Sequence, residues 1–137
     1  MPTAQPLQTQ LDGIHCNFMI QRFPHGIVVL KISGTDTGEL GDAPMLRLDE
    51  YMQDGPVQLF IDARNVRGAS IEVSAEWAKW LAARKHNLRL VSMLPGSRFI
   101  EITAAFVRRF AELQGMMRIY TDASAFDAAV AESTRPD

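Results

Sequence analysis

Short runs of β-branched and apolar residues alternate with amphipathic helical windows along most of this 137-residue chain. In "HCNFMIQRF" the side chains of Cys16, Phe18 and Ile20 recur at every second position, and "IVVLKIS" follows after the turn "PHG", so these runs predict a hairpin. Three more runs, "VQLFID", "LRLVSML" and "MMRIYT", each precede a helical window. Because helical crossovers join parallel strands, the sequence predicts an α/β fold with a single open, mostly parallel (mixed) sheet in the order β-β-α-β-α-β-α-β-α.

The helical windows carry their own start and stop signals. The first helix is predicted from about Ala43 to Asp54, with Gly55 as its left-handed exit. The second places Trp77 and Trp80 on one apolar face, which predicts packing against the sheet, although a partly exposed indole would also suit an interface. The last helix, "DASAFDAAVAES", has Ser124 and Asp127 at the spacing of a capping box.

The third helical window has the most continuous apolar stripe of the chain. Ser97 is its predicted N-cap and Gly115 its predicted end. Five large apolar side chains recur at helical spacing: Phe99, Ile102, Phe106, Phe110 and Leu113. A stripe of this kind predicts the side of the helix that faces the core.

The composition predicts one packed domain. Hydrophobic residues make up 47% of the chain and charged residues 22%, as in ordinary globular proteins and unlike disordered ones. Neither end carries a strong structural pattern. We therefore expect a flexible N-terminal tail over residues 1–13, a single domain over residues 14–132, and a C-terminal tail over residues 133–137.

Charge and cysteine content narrow the classes of partner. The formal net charge is −2, so no electrostatic footprint for nucleic acid is visible. Cys16 is the only cysteine, which excludes an intramolecular disulfide and a cysteine-based zinc cage within one chain. No stretch reaches the roughly 20 apolar residues of a membrane span, and the N-terminus lacks the pattern of a secretory signal. These features predict a cytoplasmic protein.

The stretch "RNVRGASIEVSAEW" holds the candidate site, because it joins a predicted buried strand to a helix. Ser70 and Ser74 suit helix capping, and the functional alternative is that the turn offers a hydroxyl to a kinase or binds an anion. Nearby arginines could neutralise a phosphate or a partner's carboxylate. The candidate interaction or phospho-switch residues are Arg64, Arg67, Ser70, Glu72, Ser74 and Trp77.

Other patterns predict no catalytic residue, no cofactor site and no metal site. In the loop "GTDTGELGD" Asp36, Glu39 and Asp42 could gather a weak cation, but the composition favours a flexible connector. His15 and Cys16 are adjacent, so on a strand their side chains point to opposite faces and cannot share a metal.

The element order and the segments "VQLFIDARNV", "LRLVSMLPGSRFIEITAAFVRRFAEL" and "GMMRIYTDASAFDAAV" resemble the STAS domain, the fold of bacterial anti-sigma-factor antagonists and their SpoIIAA-like relatives. The resemblance covers roughly residues 14–131. It implies a regulator that binds a partner kinase and is switched by phosphorylation in an Asp-Ser-Ser/Thr-Gly motif at the start of the second helix. The matching region here, "GASIEVS", lacks that motif, so the switch does not carry over directly.

Two functional hypotheses follow. The first is a non-enzymatic, cytoplasmic, STAS-like regulatory or protein-interaction module, whose partner is either another protein or a second copy in a homodimer. The alternative is a domain that binds a small apolar or anionic ligand between the sheet and the helices, near the turn from Arg64 to Ser70. The seven methionines, several at predicted core positions, favour an adaptable cavity of that kind.

Overall fold

One mixed sheet forms the centre of the molecule. A computed structural model of the chain describes residues 7–136. The strands of its sheet lie side by side in chain order: β1 (Leu7–Asp12), β2 (Cys16–Phe23), β3 (Ile27–Asp36), β4 (Val57–Ala69), β5 (Leu88–Pro95) and β6 (Met117–Ile119). The pairs β1–β2 and β2–β3 are antiparallel, and β3 to β6 are parallel. The predicted hairpin and the predicted mostly parallel sheet are confirmed.

Helices cover both faces of this sheet. They are α1 (Ala43–Tyr51), α2 (Ile71–Ala83), α3 (Arg98–Phe110) and α4 (Ala123–Ser133), with a short 3₁₀ turn at Lys85–Asn87. The first three share one hydrophobic core with the sheet, whereas α4 packs on the other face through Phe126, which meets Phe60 edge to face. Within residues 7–136, no helix has the length and apolar character needed to cross a membrane.

The predicted N-terminal tail is wrong for residues 7–12, which form the edge strand β1. This strand is mostly exposed and polar, so its sequence lacks the apolar alternation of a buried strand. The hydroxyl of Thr9 meets that of Tyr51 at 2.6 Å and ties the strand to α1. Residues 1–6 of the predicted tail lie outside the described residues, and at the other end α4 continues through Ser133.

Helix boundaries differ from the predicted ones where side chains find other partners. The first helix ends at Tyr51, three residues before the predicted end. The N-cap of α4 is Asp122, which accepts a hydrogen bond from the backbone N–H of Ser124 at 2.9 Å. The predicted capping box at Ser124 and Asp127 is therefore wrong, because Asp127 instead pairs with Arg64.

A shared acid joins α1 to α2. The Asp49 carboxylate accepts hydrogen bonds from the Arg84 guanidinium, one of them at 2.7 Å, and from the indole N–H of Trp80 at 3.2 Å. The Arg84 guanidinium also lies 4.8 Å from the centre of the Trp80 ring, within cation–π range. The side of α2 that carries Trp80 therefore faces α1.

The orientation predicted for α3 is wrong. Four members of its apolar stripe are exposed: Phe99 60%, Ile102 59%, Phe106 51% and Phe110 51%. The sheet instead buries a second, smaller stripe that contains Ile100, Ala104 and Val107. Helices approach a neighbouring layer most closely through small side chains, and Ala104, 1% exposed, marks that close approach.

The C-terminal turn of α3 also differs from the predicted end at Gly115. The backbone N–H of Leu113 donates to the carbonyl of Arg108 at 2.9 Å, and that of Glu112 donates to Arg109 at 3.2 Å, which is a Schellman motif. Glu112 occupies the left-handed position, with φ +56°, where glycine is usual. The turn directs Leu113 into the core, where it is fully buried.

We expect Glu112→Gly to raise the free energy of unfolding by about 0.5–1 kcal/mol, because relief of the left-handed strain outweighs the added backbone entropy of the unfolded chain. Urea denaturation followed by circular dichroism would measure the change. The control is Glu76→Gly, at an exposed position of α2 with ordinary helical geometry, which should lower the free energy of unfolding by about 1 kcal/mol. A loss of stability in Glu112→Gly would contradict the assignment of strain.

Candidate interaction surface

The candidate stretch starts inside a strand rather than a loop. The thirteen-residue strand β4 continues through Ala69, so Arg64 and Arg67 are strand residues. The predicted turn is therefore wrong over residues 64–69, and Ser70 directly follows the strand. The pairing of β3 with β4 shifts in register between Lys31 and Ser33 of β3. This shift breaks the simple alternation of apolar and polar side chains along β4, so its last residues were not recognised as a strand.

Arg64 points to the α4 side of the sheet. Its guanidinium bonds the Asp62 carboxylate at 3.0 Å and makes two hydrogen bonds to Asp127 of α4, one at 3.2 Å. The hydrogen bonds that Arg64 donates to Asp127 raise the pKa of Arg64, and the same contact lowers the pKa of the Asp127 carboxyl. Arg64 thus fastens α4 to the sheet and does not share a surface with α2. The Arg67 side chain is exposed and makes no hydrogen bond or ion pair within residues 7–136.

Both candidate serines make hydrogen bonds in the first turn of α2. The Ser70 Oγ accepts from the backbone N–H of Val73 at 3.1 Å, as an N-cap does. The Ser74 Oγ donates to the carbonyl of Ser70 at 3.1 Å. Capping is therefore a sufficient structural reason for Ser70, and the proposed phospho-switch at these serines stays a prediction.

Trp77 belongs mainly to the core. It is partly buried, its ring stacks on Phe18 with centroids 6.3 Å apart, and it meets Trp80 edge to face at 5.8 Å. Its remaining surface lines an open groove of about 260 Å³ between α2 and the β3–α1 loop. Glu72 and Glu76 stand on the α2 side of that groove, so its rim is acidic.

A separate cavity of about 90 Å³ lies between the sheet, α2 and α3. The ligand-binding hypothesis placed a ligand between the sheet and the helices, and this cavity lies in that layer. Its lining is almost wholly apolar, and the polar side chains there include Ser74 and the buried Asp36, whose carboxylate accepts from the backbone N–H of Gly38 at 3.0 Å. An apolar lining beside a carboxylate suits a small apolar molecule better than an anion.

The acidic loop after β3 is held by backbone amides. The Glu39 carboxylate accepts hydrogen bonds from the N–H groups of Ile14 at 2.6 Å, His15 at 2.9 Å and Cys16 at 3.3 Å. These hydrogen bonds lower the pKa of the Glu39 carboxyl, and the one from His15 has the largest effect. The loop is therefore anchored to the β1–β2 turn, contrary to the predicted flexible connector. Within the described part of the chain, no three His, Cys, Asp or Glu side chains form a group that could hold a metal ion.

The exposed stripe of α3 is the surface that sequence reasoning misplaced. Phe106 and Phe110 contact each other with ring centroids 6.0 Å apart, and Phe99 and Ile102 lie on the same side of the helix. Ile71, 85% exposed, begins α2 at the same edge of the sheet as Phe99, because α2 and α3 follow the neighbouring parallel strands β4 and β5. We call the surface formed by Ile71, Phe99, Ile102, Phe106 and Phe110 the α2–α3 face.

A signal for this face was present in the sequence. Ile100, Ala104, Val107 and Ala111 form a second apolar stripe at spacings of three and four residues, beside the aromatic one. A helix with two apolar stripes can turn only one of them to the sheet. The other stripe must then be exposed or bind a partner.

Comparisons with known proteins were made at the level of sequence and of structure. No family model and no curated protein matches the sequence. An uncharacterised DUF3478-family protein with a SpoIIAA-like fold, from Shewanella loihica PV-4, superposes with a TM-score of 0.57 at 15% identity, over 93% of this chain and 98% of its own. The chain has a SpoIIAA-like fold.

A second solved structure gives the same result. The anti-sigma factor antagonist SpoIIAA, in its unphosphorylated form, superposes with a TM-score of 0.52 at 14% identity, over 83% of this chain and 96% of its own. The predicted STAS/SpoIIAA-like fold is thereby confirmed. At this level of identity the likeness concerns the fold alone.

We expect Ser70→Ala to lower the free energy of unfolding by about 1 kcal/mol, because the N–H of Val73 loses its partner. Ser70→Asp keeps an acceptor at the N-cap and should lie within a few tenths of the wild-type value. Ser74→Ala is the matched control, since the Ser70 carbonyl keeps the backbone N–H of Ser74 at 3.0 Å. Equal losses in all three variants, measured by urea denaturation, would contradict the capping role.

Cys16 should be unreactive in the folded protein. It is fully buried, and burial, together with the negative charges of Asp36 and Glu39, raises the pKa of its thiol to about 11. At pH 8 we expect iodoacetamide to alkylate the native protein at least about a hundredfold more slowly than the urea-unfolded protein, because the thiolate is the reactive form. Mass spectrometry of timed samples would measure both rates. Similar rates would show that the thiol is accessible and ionised.

Proposed function

We propose that this protein is a non-enzymatic regulatory module that acts by binding protein, and that the α2–α3 face is its contact surface. The observation that carries the proposal is the exposed aromatic stripe of α3. Phe99, Ile102, Phe106 and Phe110 are each more than half exposed and lie on one side of one helix. Contiguous apolar patches of this kind mark interaction sites in folded proteins.

The size of the patch suits protein binding. A phenylalanine carries about 200 Å² of surface, so four half-exposed side chains leave on the order of 400 Å² of apolar area. Its burial would contribute on the order of 10 kcal/mol, which is comparable to the cost of association. The face can therefore support binding once the surrounding polar residues add their contacts.

The polar surroundings of the patch resemble the rim of an interface. Arg98 and Arg109 are exposed at the outer side of α3, and Glu72 and Glu76 are exposed on α2. Protein interfaces commonly combine an apolar centre with a charged and hydrated rim. Such a rim contributes more to orientation than to affinity.

The face is held rigidly, which lowers the entropic cost of binding. The Ser97 Oγ accepts from the N–H of Ile100 at 3.2 Å at one end of α3, and the Schellman turn at Glu112 closes the other. Between these ends the inner side of α3 is buried in the core. A preorganised helix loses little freedom when a partner covers its outer side.

Two serine hydroxyls at helix starts and the cysteine thiol, which are candidate nucleophiles, are held within the structure. Ser70 and Ser97 are N-caps, and Cys16 is buried with a raised pKa. A buried, protonated thiol also agrees with a cytoplasmic location, which is part of the proposal. The structural neighbour SpoIIAA is described as an anti-sigma factor antagonist, and we place this chain in the same broad class of regulators that act on other proteins.

Of the two candidate switch serines, Ser70 is the better placed. A phosphate at the N-cap of α2 would lie at the positive end of the helix dipole, whereas Ser74 lines an apolar cavity that disfavours a dianion. Glu72, in the first turn of α2, lies at the same positive end of the helix dipole. A phosphate at Ser70 would alter the charge at the edge where the α2–α3 face begins.

Binding of a small ligand remains the second candidate, because a cavity lies between the sheet and the helices where such a ligand was predicted. Its volume of about 90 Å³ is well below the roughly 300–1,000 Å³ of ordinary ligand pockets. Only a very small apolar molecule fits without movement of α2 or α3. The exposed face therefore supports the first proposal more strongly.

The contact surface can be tested by photo-crosslinking in cells that naturally contain the protein. We expect p-benzoylphenylalanine in place of Phe106 to give discrete protein adducts, because a bound partner would cover that ring. The control position is Leu46, which is 54% exposed on α1 and lies outside the α2–α3 face. Gel mobility and mass spectrometry would identify the adducts. Absence of adducts at position 106, or equal yields at both positions, would refute the proposed contact surface.

A further inference from the structure

We propose that the partner on the α2–α3 face is a second copy of this chain, and that α2 of each copy packs on α3 of the other. This inference rests on the proposed function, since it assumes that the face is a contact surface. It adds the identity of the partner and the geometry of the complex. A symmetric face-to-face dimer is the commonest form of protein self-association.

The two helices present complementary shapes. Ile71, Ala75 and Ala82 lie on one side of α2 at helical spacing, and Ala78, on the same side, is fully buried. This side faces α3, because the opposite side of α2 carries Trp80 and contacts α1. The exposed surface beside α3 is therefore formed mainly by small side chains on α2 and by large ones on α3.

A two-fold axis parallel to the helices brings these unlike surfaces together. The helices run in the same direction and lie nearly level, since Val73 to Leu81 of α2 and Ile100 to Val107 of α3 line one cavity. Rotation about such an axis places α2 of one copy opposite α3 of the partner. The aromatic rings of the partner's Phe106 and the partner's Phe110 would then lie over the part of the alanine side of α2 that remains exposed, at Ala75 and Ala82. Large side chains would fill the space that small ones leave.

The charges favour the same arrangement. The outer surface of α2 carries Glu72, Glu76 and Lys79 and is acidic on balance, although Lys79 pairs with Glu76 at 3.7 Å. The outer side of α3 carries Arg98, Arg109 and Glu101 and is basic on balance, although Glu101 lies 4.0 Å from Arg98. When α2 faces the partner's α3, Glu72 lies level with the partner's Arg98, and an acidic helix lies against a basic one in both halves of the dimer. In the alternative antiparallel arrangement α3 would face the partner's α3, and Arg98 would lie near the partner's Arg109. Like charges in that position oppose association.

The available area is adequate for a dimer of modest affinity. The five large side chains of the α2–α3 face leave on the order of 500 Å² of apolar surface per copy. A standard interface buries about 800 Å² per partner, and the alanines of α2 with the charged rim can supply the remainder. We therefore expect a dissociation constant in the micromolar range rather than an obligate dimer.

Sedimentation velocity of the full chain between about 1 and 200 µM tests the geometry with two charge-reversed variants. Glu72→Arg with Glu76→Arg makes α2 basic, and Arg98→Glu with Arg109→Glu makes α3 acidic. Each variant alone should dimerise at least tenfold more weakly than the wild type, because both halves of its dimer repel. An equimolar mixture should regain dimerisation, because both halves of the mixed dimer pair opposite charges.

The outcomes separate this inference from the proposed function. A wild-type dimer with weakened variants and a recovering mixture supports the geometry. A wild-type dimer whose variants are unaffected, or whose mixture does not recover, refutes the α2-on-α3 arrangement. A wild-type chain that stays monomeric to 200 µM refutes self-association, while adducts to a different protein at position 106 would still support the contact surface. Circular dichroism of each variant checks that it remains folded.

Discussion

The packing of α3 on the sheet through Ile100, Ala104 and Val107 determines which side of that helix is exposed. Ala104, in the middle of the helix, allows the helix to approach the sheet, and the left-handed turn at Glu112 sends Leu113 into the core. With these contacts in place, the aromatic stripe has no room beneath the helix. The exposed aromatic surface is thus a consequence of the core and not of a loosely held element.

Polar groups near the carboxyl edge of the sheet serve mainly to hold its elements together. Arg64 fastens α4 through Asp127, the Glu39 carboxylate is bound by three backbone amides of the β1–β2 turn, and Ser70 caps α2. In many open α/β proteins this edge supplies the ligand-binding residues. Here Arg64, Glu39 and Ser70 are engaged with their own chain, and the exposed α2–α3 face of the described residues is apolar. Binding by shape and hydrophobic contact is the chemistry that such a surface supports.

Local pattern was sufficient to predict the central strands and the fold, but it did not predict how the elements face one another. Strand β2 was visible from the alternation of its buried residues and strands β3 to β5 from their contiguous apolar residues, and the SpoIIAA-like resemblance followed from the order of the elements. Strand β1 was missed because an exposed edge strand needs no apolar residues. The predicted buried face of α3 was wrong because the helix has two apolar stripes, and the tertiary contacts of Ile100, Ala104 and Val107 decide which of them is buried. The role of Arg64 depended on Asp127, sixty-three residues away, which no local pattern contains.

The side-by-side arrangement of the strands in chain order has a consequence for how the protein is made. Each strand pairs with the one synthesised just before it, so the growing edge of the sheet is always the most recent strand. No strand has to wait for a distant segment, and none must insert between two others. The sheet can therefore lengthen strand by strand as the chain leaves the ribosome. Helix α3 follows β5 in the chain, so its aromatic side is synthesised only after five of the six strands.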